Sequence, residues 1–128
     1  MKNKQKFCIA NWKMNFNNTD VSNYLNVLNK YKLYDSNIET VICPSFTSMN
    51  HFSSKHDHFC KLGAQNVSSF DKGSYTGDIS VNMLEDINCK YVIVGHSERR
   101  TLYNENNDDI KLKFDLVYSS SMTPILCI

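Results

Sequence analysis

Three residues stand where short apolar runs give way to polar sequence and carry groups that act on oxygen: Asn11, Lys13 and His96. Asn11 offers an amide that donates or accepts a hydrogen bond, and Lys13 a cation able to neutralise a phosphate or a developing oxyanion. His96 lies in the stretch Gly95-His96-Ser97-Glu98-Arg99-Arg100, where Ser97 can cap a short helix. An imidazole at a helix start feels the positive end of the helix dipole, which disfavours its protonated form. It then acts as a neutral donor to a substrate oxygen, a role suited to polarising a carbonyl beside an enolisable carbon. Each residue has a plainer alternative: a solvated loop lysine, or a turn histidine whose hydrogen bonds are met locally. Glu98, next to Arg99 and Arg100, points to local salt bridges rather than to a basic patch.

The elements that must position these groups are legible as five apolar runs: Phe7 to Ala10, Thr40 to Cys43, Phe59 to Ala64, Tyr91 to Val94 and Pro124 to Ile128. Most are continuous rather than alternating, as expected of parallel strands covered on both faces. Helical patterns follow them. Thr19 can cap a segment whose Val21, Tyr24, Leu25, Leu28 and Tyr31 share one face. Further helices are expected near Ser45 after Pro44, after Ser80 with Val81, Leu84 and Ile87, and after Asn107, whose neighbours Asp108 and Asp109 suit a helix N-terminus. Strand starts about 20 to 35 residues apart describe a βαβαβαβαβ series, and the class is α/β. Such a series either curls into part of a barrel or lies open as a doubly wound sheet. The turn after the first strand, Asn11 to Asn15, lacks the glycines that usually mark the second option. The long connection from Gln65 to Ile79, with Gly73 and Gly77, is a functional loop candidate by its length.

The composition excludes several functions. The chain has 128 residues, 14 Lys+Arg against 13 Asp+Glu, and a formal charge of +1, so no strong field steers it toward nucleic acid or an anionic membrane. Hydrophobic residues at 41%, with seven Phe, seven Tyr and one Trp, suffice for a core in a single domain. No apolar run approaches the roughly 18 residues of a membrane span, and a cytoplasmic protein is the default. Cys8, Cys43, Cys60, Cys89 and Cys127 are odd in number and form no CxxC or Cys/His set, so they read as reduced, packed side chains. The triplet His56-Asp57-His58 has no third metal ligand in view and reads as a surface loop entering a strand.

Taken together, Ala10-Asn11-Trp12-Lys13-Met14-Asn15, Cys43-Pro44-Ser45, Gly63-Ala64-Gln65-Asn66-Val67, Tyr75-Thr76-Gly77, the block from Lys90 to Arg100 and Pro124 to Ile128 resemble the N-terminal half of triosephosphate isomerase in order and spacing. The resemblance implies a (β/α)8 barrel of which residues 1–128 form one incomplete domain, with about four βα units plus a fifth strand. It also implies a homodimer, no metal or other cofactor, and interconversion of dihydroxyacetone phosphate with glyceraldehyde 3-phosphate in glycolysis and gluconeogenesis. By position, Asn11 and Lys13 match the substrate-binding pair and His96 the neutral electrophile, a case of pKa tuning known for this enzyme. Ser97 matches a residue that holds the catalytic base in the open enzyme, and Glu98 one that braces Lys13. Thr76, at the tip of the 65–79 loop, matches the residue that enters the neighbouring subunit.

A complete barrel of this kind needs roughly 250 residues. The family's base, a glutamate after strand six, its closing loop and the phosphate-binding amides of the last strands match no residue here. Ser119-Ser120-Ser121 stands where the family commonly ends a helix with glycine, a weaker helix end. Two functional expectations follow. In one, the chain is an incomplete piece of a working isomerase and has little or no activity alone. In the other, it is a non-catalytic half-barrel that works only by association with a complementary half or subunit.

Overall fold

The computed structural model describes residues 4–28, 30, 37–53 and 60–128. The chain runs β1 (Lys6–Asn11), α1 (Asn18–Leu28), β2 (Ile38–Cys43), a 3-10 turn (Phe46–Ser48), α2 (Asn50–Ser53), β3 (Cys60–Ala64), α3 (Val81–Asp86), β4 (Tyr91–Val94), α4 (Ser97–Leu102), α5 (Asn107–Tyr118) and β5 (Thr123–Leu126). The His56-Asp57-His58 triplet, Tyr31 and Phe59 lie outside the described residues.

Pairing decides between the two α/β architectures. All four strand pairs are parallel and the sheet order is β1-β2-β3-β4-β5, so every strand lies beside its predecessor. A doubly wound sheet reverses direction at a switch point, and this one has none. The arrangement is half of a (β/α)8 wall. Asn11 sits opposite Cys43 and Val94 opposite Leu126, so the strand carboxyl ends form one rim.

The two sheet faces are filled differently. Ile42, Leu62, Ala64, Val92 and Val94 meet Val21, Leu25, Leu84, Ile110 and Val117 of the helices in the main core. On the opposite face Val41, Cys43 and Ile93 form a small cluster flanked by Tyr91, Ile125 and Cys127. β1 departs from the expectation of strands covered on both sides: Phe7 is 52% and Ile9 40% exposed. It is a sheet edge among the described residues.

β3 carries Gly63 for a steric reason. A Cβ at this position would lie 2.4 Å from Cys43 Sγ and 2.9 Å from Val41 Cγ1, because the β2 side chains lean across it. Gly63→Ala is therefore expected to lower stability by about 1–3 kcal/mol, the usual cost of overpacking, read as a reduced denaturation midpoint. An unchanged midpoint would mean the β2 side chains can step aside. At the other end of this face the Tyr91 hydroxyl donates to Glu39 Oε1 at 2.5 Å, and Gln5 Nε2 donates to Glu39 Oε2 at 2.7 Å. Burial first, then the Glu39 carboxylate, pushes the Tyr91 phenol up to about 12.

The cap of α1 differs from the sequence expectation. Asn17, not Thr19, is the cap: its Oδ1 accepts from the Thr19 and Asp20 amides, and Asp20 Oδ2 accepts in return from the Asn17 amide. An asparagine two residues earlier in a reciprocal capping box outcompetes the threonine. Ser45 leads into a 3-10 turn before the helix proper, and its side chain makes no cap bond. α3 begins directly after Ser80, as anticipated, and Ser80 caps it through the Met83 amide. Asn106 caps α5 in a capping box with Asp109, one residue before the expected start. Where glycine was missed at the end of α5, Ser120 Oγ donates to the Val117 carbonyl and Ser121 binds Glu85 through both its amide and hydroxyl. These bonds hold the Glu85 carboxyl below the usual carboxylate range.

The cysteines are all free thiols. Burial pushes Cys43 up to about 12 and Cys89 up to about 11, which makes both poor nucleophiles and fits their packing role. Cys8 departs from that reading and is exposed on the β1 edge.

Candidate functional site

The rim of strand ends opens into a cleft of about 190 Å³ whose lining includes Asn11, Lys13, Gln65, His96, Glu98 and Tyr103. Its size suits a small metabolite rather than a drug-sized ligand. Residues 83 positions apart or more meet here because the β1 and β4 ends share the rim.

Lys13 is held by its own backbone. Its φ of 54° places a non-glycine residue in the left-handed region, a conformation costing about 1–3 kcal/mol unless the surroundings impose it. Several bonds impose it. Its amide donates to Asn11 Oδ1 at 2.9 Å, and its carbonyl accepts from Gln65 Nε2 at 2.8 Å. The same Gln65 nitrogen also reaches the Cys43 carbonyl at 2.9 Å, tying the loop to the β2 end. Trp12 anchors the turn from below, packed at 8% exposure against Phe16, Tyr24 and Phe52 with ring centroids 4.8, 5.0 and 5.7 Å away. The loop needs no glycine because its strain is offset by these contacts. Lys13 Nζ meets Glu98 Oε1 at 2.6 Å. That bond holds the Glu98 carboxyl below the usual range, so the attraction persists above the ordinary carboxylate pKa and fades only as pH falls through the lowered value.

His96 rather than Ser97 is the cap of α4. Its Nδ1 accepts from the Glu98 amide at 3.2 Å. An imidazole that accepts through Nδ1 carries its proton on Nε2, leaving that nitrogen as a donor. Glu98 Oε2 also lies 3.5 Å from Nδ1, but the carboxylate is already engaged by Lys13 through its other oxygen and the backbone bond is the shorter. Capping by the histidine leaves Ser97 as the first helical residue, exposed at the lip.

On one wall of the cleft Arg99 Nε binds Glu105 Oε1 and stacks 4.5 Å over the Tyr103 ring, and Lys113 Nζ binds the same Glu105 oxygen and reaches Asn66 Oδ1 at 2.9 Å. Arg99 thus forms a local ion pair with Glu105, as the sequence indicates, whereas Glu98 pairs across the rim with Lys13 rather than with its basic neighbours. Gln65 was missed by sequence reasoning as a residue that shapes the site. Its signal was available, since it is the first polar residue after β3, the same criterion that picked out Asn11 and Lys13.

Thr76 stands apart from the cleft, exposed at the tip of its loop. The loop is self-supporting: the Ser68 amide donates to the Ile79 carbonyl at 2.8 Å, Ser68 Oγ to Asp78 Oδ2 at 2.7 Å, and Phe70 stacks on Tyr75 at 4.0 Å. Thr76 and Gly77, with φ of 91° at Gly77, form the centre of a turn closed by the Asp78 amide on the Tyr75 carbonyl. Among the described residues no three His, Cys, Asp or Glu side chains converge on a metal position, and no helix is long and apolar enough to cross a membrane.

A singly wound parallel half-barrel with an amide, a lysine and a histidine gathered at its carboxyl rim defines an α/β half of a (β/α)8 barrel. The chain belongs to the triosephosphate isomerase family, whose model, "Triosephosphate isomerase", matches residues 6–128. Curated relatives named triosephosphate isomerase include those of Francisella tularensis subsp. mediasiatica, 36% identical over 124 residues, Halorhodospira halophila, 39% over 125, and Dictyoglomus turgidum, 39% over 127. The alignments take in 97%, 98% and 98% of this chain and 49%, 49% and 51% of those proteins. The chain spans about half the length of the curated relatives it matches.

Proposed function

We propose that residues 1–128 form a single incomplete barrel domain that supplies the electrophilic half of a triose phosphate isomerase site. The activity is interconversion of dihydroxyacetone phosphate and glyceraldehyde 3-phosphate in glycolysis and gluconeogenesis. The observation that carries this reading is the meeting of Lys13, Asn11 and His96 around one cleft, with the His96 Nε2 proton left available for a substrate oxygen.

In this mechanism a base removes a proton from the carbon beside the carbonyl, and negative charge moves onto the carbonyl oxygen to give an enediolate. His96 Nε2–H donates to that oxygen and relays a proton between the two substrate oxygens. Lys13 stabilises the enediolate and the phosphate, and Asn11 helps hold the substrate. Donors aimed at a charge that develops only in the transition state raise turnover more than binding. Ser97 holds the base in the open enzyme and Glu98 braces Lys13. Glu98 is the carboxylate lining the cleft among the described residues, and its pairing with Lys13 makes it a weak proton acceptor. The base is the glutamate that the family carries after strand six. The protein acts in the cytoplasm as a homodimer in which the 65–79 loop, with Thr76 at its tip, enters the neighbouring subunit.

The test is turnover by the full-length protein of glyceraldehyde 3-phosphate against unphosphorylated glyceraldehyde. Turnover restricted to the phosphorylated substrate supports the reading; a folded protein indifferent to the phosphate, or inactive on both, overturns it.

A further inference from the structure

Arg100 ties together the carboxyl ends of β4 and β5 and the start of α5. Its Nε donates to the Gly95 carbonyl at 2.7 Å, one terminal nitrogen to Asn107 Oδ1 at 2.9 Å and the other to the Cys127 carbonyl at 3.0 Å. These partners are the residue after β4, the first residue of α5 and the residue after β5. The guanidinium thus spends its planar fork on three fixed acceptors, an arrangement an ammonium cannot reproduce.

The backbone is built to admit it. Gly95 has φ of +72°, and a Cβ there would lie 3.0 Å from an Arg100 terminal nitrogen and 3.1 Å from Ile110 Cγ2. Gly95 immediately precedes His96, and the Arg100 amide donates to the His96 carbonyl at 3.1 Å. The side chain therefore folds back beneath its own helix onto the peptide that launches His96. α4 is only six residues long and carries no buried residue, so its own packing does little to fix its direction.

We infer that Arg100 is a positioning residue that sets the direction of His96 by locking the Gly95 carbonyl to the ends of β5 and α5. This rests on the isomerase reading for its kinetic consequence, but its structural consequence stands without it. Loss of the clamp lets the 95–100 turn pivot, moving Nε2 away from the oxygen it serves. Misplacement of a reacting group by about 1 Å is enough to cost on the order of a hundredfold in rate.

The experiment compares Arg100→Ala and Arg100→Lys with the unaltered full-length protein. The readouts are kcat and KM on glyceraldehyde 3-phosphate, the thermal midpoint, and the imidazole nitrogen signals of His96 under histidine-selective 15N labelling. Arg100→Ala is expected to lower kcat by roughly tenfold to a hundredfold with little change in KM, and added guanidinium, but not methylammonium, to recover part of the loss. The His96 imidazole signals shift or split in both variants. A lowered thermal midpoint with unchanged kcat and unchanged His96 signals would reduce Arg100 to a structural brace and overturn the inference. If Arg100→Ala does not fold, Arg100→Lys decides on the same readouts. If the unaltered protein turns over no triose phosphate, the functional reading fails, and the His96 signals alone settle the role of Arg100.

Discussion

His96→Gln in the full-length protein is expected to lower kcat by about 10²- to 10³-fold while KM changes little. That is the loss seen when one donor to a developing oxyanion is removed from a preorganised site. The imidazole is held at Nδ1 by the Glu98 amide, which leaves Nε2 to carry the donated proton before substrate arrives. A glutamine keeps a donor of lower acidity and loses the cap bond. Lys13→Met should damage binding and turnover together, because in the proposed mechanism one ammonium serves both the phosphate and the enediolate. It also leaves Glu98 without its 2.6 Å partner at the mouth of the cleft. Steady-state kinetics on both variants separate the two roles, and near-native constants in both would return these residues to loop structure.

Residues 1–128 expressed alone should show no measurable isomerisation and should associate. The first part follows from Glu98, a carboxylate held ionised by Lys13 and thereby weakened as a base. The second follows from the β1 and β5 edges, where Phe7 is 52%, Ile9 40% and Leu126 47% exposed. Open edges with apolar side chains pair with other chains. Sedimentation should therefore report oligomers or aggregates, and a fragment carrying the family's remaining strands should restore order. Turnover at rates typical of enzymes, about 10 s⁻¹, would make Glu98 a surrogate base and contradict the mechanism. A sharply folded monomer would instead favour a half-barrel that closes its own edges.

Much of this architecture was legible in the residues, for identifiable reasons. The runs Thr40 to Cys43 and Tyr91 to Val94 are continuous and apolar because β2 and β4 contact side chains on both faces, and such runs are the strongest strand signal available. Asn11, Lys13 and His96 could be placed together because parallel strands put their carboxyl ends on one rim. Capping was less legible. Asn17 and Thr19 are both competent caps, and the choice rests on the reciprocal bond with Asp20, which depends on backbone geometry rather than composition. His96 as a cap defies the usual residue preference, since histidine is not among the favoured caps. Its Nδ1 takes that place because the turn at Gly95 points it there. The role of Arg100 was hidden for a related reason: it bonds to the Cys127 carbonyl just beyond β5, a partner within reach only once the sheet is formed.

Proton transfer through an enediolate held by Lys13 and His96, as proposed, is tested most directly by solvent isotope incorporation. Full-length protein is incubated with dihydroxyacetone phosphate in heavy water, and the C1 hydrogens of the substrate are followed by proton NMR as isomerisation proceeds. The account predicts that one C1 hydrogen is replaced by deuterium in step with turnover, and that His96→Gln and Lys13→Met slow the exchange along with the isomerisation. Isomerisation with no deuterium entering carbon would point to direct hydride migration and contradict it. So would a folded protein with Lys13 and His96 intact that exchanges no C1 hydrogen.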